Sequence, residues 1–181
     1  GRDTARKQVI SRAVIVAVGI TANGQREVLG IEVGDSEDET FWTAFLRRLR
    51  ERGLRGVQLV ISDAHAGLKK AIARCCQGSS WQRCRVHFAR NLLAKVPKGS
   101  QDMVAAALRS VFAQPEAQAV EQQWDQVTTM LREKFPAAAA LMEHAKEDVL
   151  AFRAFPPEHW RKIWSTNPLE RLHKEIKRRT R

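Results

Sequence analysis

The sequence predicts a mixed α/β fold, in which a mixed β-sheet is covered by helices and followed by a helical subdomain. With 44% hydrophobic residues among 181, the chain can bury a substantial core. Up to residue 88 the segments alternate in the order strand, strand, helix, strand, helix, strand. Beyond residue 88 they are helix-like and strand-poor, and prolines separate them.

The first two strands form a predicted hairpin. Residues 12–20, "RAVIVAVGI", are rich in β-branched side chains, which predicts a buried strand. Asn23-Gly24 is a strong turn signal, since both residues tolerate positive φ. "REVLGIEV" follows, so the two strands should pair in antiparallel fashion.

The sequence next predicts a helix within residues 34–53, from residues typical of helix starts and ends. Ser36 and Glu39 fit a capping box at its start, and Gly53 can end it. Its acidic residues are concentrated in the first turn and its arginines in the last turn, which matches the helix dipole. These acids therefore have a structural explanation, and we assign them no chemistry.

Asp63 is the first candidate for chemistry. It ends the apolar run 57–62 and precedes a helix that extends to the adjacent Cys75 and Cys76. A carboxylate at the carboxyl end of a strand lies at the edge of the sheet, where many sites are built. The alternative is that Asp63 only caps the following helix.

Cys84 and His87 are residue types that bind zinc, and two residues separate them. A structural zinc site needs four ligands, usually in two pairs, and no second pair with suitable spacing exists. If "WQRCRVHF" is a regular strand, the two side chains also face opposite sides. The sequence favours buried structural residues over a zinc-dependent DNA-binding module.

A second candidate acid lies near the end of the chain. Asn167 fits a helix N-cap and Pro168 the first helical position. Glu170 stands three residues after Asn167, where a capping-box acid also belongs. Periodicity alone does not choose between Glu170 and Glu175.

The charge indicates a polyanionic partner. Lys and Arg number 31 against 20 acids, a net charge of +11. Residues 161–181 hold eight Lys or Arg and two Glu, a net charge of +6. Such density favours contacts with nucleic-acid phosphates over a merely solvated helix face.

Three further properties of the sequence argue against a membrane-spanning segment, a signal peptide and a disulfide framework. No apolar run is long enough to span a membrane, and the N-terminus lacks the apolar core of a signal peptide. The three cysteines are an odd number and two are adjacent, so no disulfide framework is implied. We expect a reducing, cytoplasmic setting.

Three segments in this order, "LVISDAHAGLKKAI", "WQRCRVHFARNLL" and "IWSTNPLERLHKEIKRR", resemble the Mutator-type transposases of bacterial insertion sequences. The resemblance runs through nearly the whole chain. It implies an RNase H-like mixed sheet interrupted by an α-helical insertion. The core would comprise residues 1–88 and 161–181, and the insertion residues 89–160.

The family carries an Asp-Asp-Glu triad that binds divalent metal. Asp63 matches the second acid and Glu170 the third, while Cys84 and His87 match the family's C-x-x-H pair. The resemblance thus implies Mg²⁺ or Mn²⁺ at Asp63 and Glu170, and metal-dependent DNA cleavage and strand transfer. Expected DNA contacts are Arg171, Lys174, Lys177, Arg178 and Arg179. Expected partners are duplex DNA at transposon ends and target sites, with a homo-oligomer at full length, in the bacterial cytoplasm at the nucleoid.

One departure from the family pattern concerns the first acid. In the family it lies on the strand before "SRAVIVAVGI", and this chain begins after that point. Asp3 is a poor substitute, because it lies in a polar loop. We therefore expect an internal fragment that is inactive alone. The alternative is a catalytically inactive remnant that only binds DNA or associates with intact copies.

Overall fold

Six strands and seven α-helices are defined in the computed structural model, which describes residues 2–3, 8–9, 12–34, 38–167, 169 and 178. The strands are β1 Arg2–Asp3, β2 Gln8–Val9, β3 Ala13–Ile20, β4 Arg26–Gly34, β5 Leu59–Ser62 and β6 Ser80–Arg83. The helices are α1 Glu39–Glu51, α2 Ala66–Cys75, α3 Arg85–Leu93, α4 Gln101–Phe112, α5 Ala117–Lys134, α6 Pro136–Val149 and α7 Trp160–Ile163. From β3 to β6 the elements follow the predicted order.

The chain divides into two compact units. The first comprises Gly1–Gln58, His65–Ser79 and Leu169–Arg181. The second comprises Leu59–Ala64 and Ser80–Pro168.

The predicted hairpin is confirmed in the first unit. Strands β3 and β4 pair in antiparallel fashion from Ala13↔Gly34 to Ile20↔Arg26. Gly24 has a φ of +76°, a conformation that glycine adopts without strain. The prediction of a buried strand is only half right: Ile15 and Val16 are buried, whereas Val14 is 43% exposed.

The start of helix α1 differs from the prediction. Asp38, and not Ser36, is the N-cap, and its Oδ1 accepts a hydrogen bond of 2.8 Å from the Phe41 amide. Ser36 lies outside the described residues. Glu39 is the first helical residue, and its carboxylate pairs with Arg74 of helix α2 at 3.1 Å. Asp38 and Glu39 therefore have structural roles, as expected.

Strands β5 and β6 are parallel, with Leu59 opposite Ser80 and Ser62 opposite Arg83. The sequence predicted one mixed sheet covered by helices, and the described residues show a mixed α/β structure in which that single sheet is not seen. Parallel and antiparallel pairing both occur, but in three separate two-stranded sheets.

Helices account for the regular structure of the second unit beyond β6, among the residues described. Their core is built from large apolar side chains, including Phe88, Trp124, Leu131, Met142 and Phe152, each at most 1% exposed. The ring centroids of Phe88 and Trp124 are 5.4 Å apart, which joins α3 to α5. One buried polar side chain of strand β6 connects this strand to the helical core.

That side chain is Gln82, which is fully buried on strand β6. Its Nε2 donates to the Val149 carbonyl at 2.6 Å, and its Oε1 accepts from the Phe152 amide at 2.8 Å. Val149 ends helix α6, so Gln82 satisfies a carbonyl that the helix cannot pair internally. Strand and helical core are thereby fixed to each other.

None of the helices in the described part of the chain is long and apolar enough to cross a membrane.

Candidate active site

Asp63 directly follows strand β5, as predicted, and its side chain is exposed. Its Oδ1 accepts a hydrogen bond of 2.7 Å from the Ala64 amide. It does not cap helix α2: the N-cap is His65, whose Nδ1 accepts from the Leu68 amide at 3.3 Å. The capping interpretation of Asp63 is therefore wrong, and no ion pair joins its carboxylate to a cation among the described residues.

The turn that carries Asp63 is held by Ser62, which is 8% exposed. The Ser62 hydroxyl donates to the Asp63 carbonyl at 2.9 Å and accepts from the Trp81 indole N–H at 2.8 Å. Because Trp81 lies on the neighbouring strand β6, the backbone at Asp63 is tied to both strands of the parallel pair. An acid on such a rigid support is suited to a site that needs fixed geometry.

The predicted strand 81–88 ends early. Strand β6 stops at Arg83, and helix α3 begins at Arg85 with Cys84 as its N-cap residue. The reason is packing, since Phe88 and Leu92 are spaced by four residues and both are fully buried in the helical core. The argument that Cys84 and His87 face opposite sides of a strand therefore does not apply: His87 lies in the first turn of α3.

Cys84 itself is fully buried. Its amide donates to the Ser62 carbonyl at 2.8 Å. Its sulfur accepts hydrogen bonds from the Thr166 amide and the Thr166 hydroxyl, each at 3.3 Å. Sequence reasoning missed Thr166, because its partner lies 82 residues away and no local pattern links them.

Arg85 joins the start of helix α3 to the same segment. Its amide donates to the Trp164 carbonyl at 3.0 Å. Its guanidinium carbon lies 4.0 Å from the Trp164 ring centroid and 5.0 Å from that of Phe112. Burial lowers the pKa of Arg85, and the nearby Cys84 opposes this shift. A cation this close to the Trp164 ring adds to the hold on Trp164.

Glu170, Arg171, Lys174, Lys177 and Arg179 lie outside the described residues. Arg178 is described, and its side chain is exposed. Within the described ranges, no three His, Cys, Asp or Glu side chains come together as metal ligands.

The sequence of this chain is similar to a known family and to several known proteins. The model of the family described as "Transposase, Mutator family" matches residues 2–181. The chain is 49% identical, over 173 residues, to the transposase for insertion sequence element IS1081 of Mycobacterium tuberculosis. That alignment covers 96% of this chain and 42% of the relative.

Two further relatives are more distant. The chain is 40% identical to the transposase for insertion sequence element ISRM5 of Rhizobium meliloti, covering 95% of this chain and 43% of the relative. It is 36% identical to the transposase for IS256 in transposon Tn4001 of Staphylococcus aureus, covering 95% and 44%. The chain thus spans less than half the length of each of these relatives.

Proposed function

This chain belongs to the Mutator family of transposases, and from that premise we propose that it carries part of the catalytic region of an enzyme of DNA transposition. The proposal includes an RNase H-like fold for the region. The observation that carries it is Asp63, an exposed carboxylate fixed at the carboxyl end of β5 with no cation paired to it among the described residues. An acid in that position is available to a metal ion or a reacting group.

Asp63 and Glu170 are the residues that would hold Mg²⁺ or Mn²⁺. The donor set fits these ions, since hard divalent cations prefer carboxylate oxygens. When bound, such ions supply activation of the attacking oxygen and neutralisation of the leaving oxygen in phosphodiester chemistry. The two acids themselves contribute negative charge and fixed oxygen ligands.

The reaction has two steps. Water attacks the phosphodiester at the end of the element, and the bond to the departing 3′-oxygen breaks. The freed 3′-hydroxyl then attacks a phosphodiester of target DNA, and a new 3′–5′ bond replaces the one that is cleaved. Transposon-end and target duplexes are thus the partners, and we propose a homo-oligomer acting at the bacterial nucleoid.

A chimera tests the proposal directly. The segment of the IS1081 transposase that matches this chain is replaced by residues 1–181, and transposition of its element is counted in cells. We expect activity within about tenfold of the parent, since loss of a catalytic step would cost far more. The matching ISRM5 segment, which is 40% identical to this chain, serves as the graft control.

The inactive-remnant alternative predicts a different outcome. If this chain is an inactive remnant, the chimera that carries it should bind DNA but give no more transposition events than a vector without transposase. The chimera with the ISRM5 segment should still give transposition. The proposal also expects that residues 1–181, purified alone, do not cleave DNA. They hold matches to only the second and third family acids.

The proposed DNA contacts can be tested separately, through the salt dependence of duplex binding. Replacing Lys174, Lys177, Arg178 and Arg179 with Ala should flatten the dependence of log K on log salt for duplex binding. Each phosphate contact that is lost reduces the slope by roughly 0.9. The measurement is fluorescence anisotropy with a duplex of arbitrary sequence, across a range of salt concentrations.

A matched control removes four exposed cations from the second unit, namely Lys98, Arg109, Arg132 and Lys134. Both variants lose the same net charge, so the control separates a local surface from the overall field. If both variants flatten the slope equally, the assignment of this DNA surface is wrong.

A further inference from the structure

We propose that an arginine patch at the C-terminal end of helix α1, made of Arg47, Arg50 and Arg55, binds the phosphate backbone of DNA. This patch adds a surface to the DNA contacts expected near the end of the chain. The identification of the ligand as DNA rests on the proposed function, whereas the charge of the patch is a property of the described residues alone.

Arginine is concentrated in one short segment of the first unit. Residues 47–55, "RRLRERGLR", contain five arginines and one glutamate, so their formal net charge is five minus one, or +4. All six of these charged residues are exposed. This short segment therefore carries more than a third of the chain's net charge of +11.

Most of this positive charge is not paired with acids. Elsewhere in the described structure exposed arginines do pair, as Arg74 does with Glu39 at 3.1 Å. Within residues 47–55 only Arg48 forms such a pair, with Glu32. Glu51 forms no ion pair with a cation in the described part of the chain. The arginine patch therefore faces solvent without a neutralising carboxylate from the described residues.

Backbone carbonyls hold two of the three guanidinium groups in place. Arg50 Nη1 donates to the Cys75 carbonyl, at the end of helix α2, at 3.1 Å. Arg55 Nη1 donates to the carbonyls of Arg50 and Leu54, at 2.5 and 2.8 Å. Because a guanidinium has five N–H donors, each of these arginines keeps further donors for an anion. A side chain that is already held also loses less conformational freedom when the anion binds.

The three arginines converge on one place. Together with Glu51 they line an open concavity of about 270 Å³. Arg47 and Arg50 are three residues apart on α1, so their side chains lie on the same side of the helix. Arg55 reaches it from the loop after Gly53, whose φ is +109°. Guanidinium groups bind phosphate oxygens through parallel hydrogen bonds, so this arrangement suits a phosphate group.

Interaction with the helix dipole is the alternative role for these arginines. Cations are favoured at the C-terminal end of a helix, where the Arg50 carbonyl accepts from Arg55. That role does not require Arg47, which lies before the last turn of α1, and like charges three residues apart repel each other. A negatively charged ligand accounts for all three arginines, and duplex DNA is the polyanion on which the proposed function acts.

The test measures duplex binding by the 181-residue chain, through fluorescence anisotropy across a range of salt concentrations. The triple variant Arg47→Gln, Arg50→Gln and Arg55→Gln removes the charge of the patch and keeps a polar side chain at each position. The slope of log K against log salt should become shallower by roughly 0.9 for each phosphate contact that is lost.

A matched control removes three exposed charges from the second unit, by Lys98→Gln, Arg109→Gln and Lys134→Gln. It should keep the slope of the unmodified chain. Equal flattening in the control and the triple variant would overturn the proposed site, because it would show only an effect of net charge. If the triple variant does not fold, Arg47→Gln carries the test, since no hydrogen bond or ion pair within the described ranges is lost with Arg47.

Glu51→Gln tests the patch in the opposite direction. Removing the acid that lines the concavity should tighten duplex binding by about two- to fivefold, the size of an interaction between exposed charges. Glu133→Gln makes the same change at an exposed position of helix α5 and is the control. A gain in affinity cannot result from misfolding, and equal affinities for the two variants would contradict the proposed site.

The same titrations separate this inference from the proposed function. If the unmodified chain binds duplex DNA and the arginine variants bind with the same slope, the inference fails and the proposed DNA partner stands. If the unmodified chain binds no duplex at low salt, the proposed DNA partner fails, and the inference fails with it. A polyglutamate peptide that binds as tightly as the duplex, and no longer binds the triple variant, would overturn DNA as the ligand in favour of an acidic protein.

Discussion

Asp63→Asn and Glu170→Gln, each introduced into the IS1081 chimera, are expected to lower transposition by about 10³-fold or more. Each change replaces a negative oxygen ligand with a neutral amide of nearly the same size, so the fold is kept and the metal charge is held less well. Metal stabilisation of charge in the transition state is worth several kcal/mol, and about 4 kcal/mol corresponds to this factor. The measurement is the count of transposition events per cell.

Two neighbouring acids provide the controls. Glu175→Gln changes the other acid of the same segment, and Asp102→Asn changes an exposed acid on helix α4. Both should stay within about threefold of the unmodified chimera, as surface changes away from a site usually do. A loss with Glu175→Gln equal to that with Glu170→Gln would show that the third acid was assigned to the wrong residue.

Gln82→Leu is expected to lower the free energy of unfolding by about 2–5 kcal/mol. Leucine fits the volume but leaves the Val149 carbonyl and the Phe152 amide buried without their partner. Each such group costs about 1–3 kcal/mol. Urea unfolding followed by tryptophan fluorescence measures the effect, with several tryptophans in the second unit as reporters.

The same substitution at Gln122 is the control, because that side chain is exposed on helix α5. Gln122→Leu should change the unfolding free energy by less than about 0.5 kcal/mol. A Gln82→Leu protein as stable as Gln122→Leu would contradict the view that this glutamine fixes the helical core to strand β6.

The sequence predicted the elements well where the signal is local. Alternating β-branched residues and Asn23-Gly24 gave the hairpin, and proline breaks marked the helices of the second unit. It failed where packing decides. Strand β6 gives way to helix α3 at Cys84, because Phe88 and Leu92 belong to a core formed by residues far along the chain. No window around Cys84 contains that information.

The site was predicted unevenly for a related reason. Asp63 could be found because a carboxylate at the end of an apolar strand is unusual in a local window. Whether it capped a helix could not be decided, since His65 competes for the same role only two residues later. The bonds between Cys84 and Thr166 join positions 82 residues apart, so only tertiary structure reveals them. Glu170 was selected over Glu175 by family resemblance and stays a prediction.

The central proposal is that Asp63 and Glu170 are both ligands of a divalent metal ion, and Mn²⁺ binding to the 181-residue chain tests it most directly. Titrations compare the unmodified chain with Asp63→Asn, Glu170→Gln, the double variant and the Glu175→Gln control. We expect each single change to weaken binding about tenfold or more, the double variant to be little weaker than either, and Glu175→Gln to bind normally. Unchanged Mn²⁺ affinity in the double variant would contradict the claim.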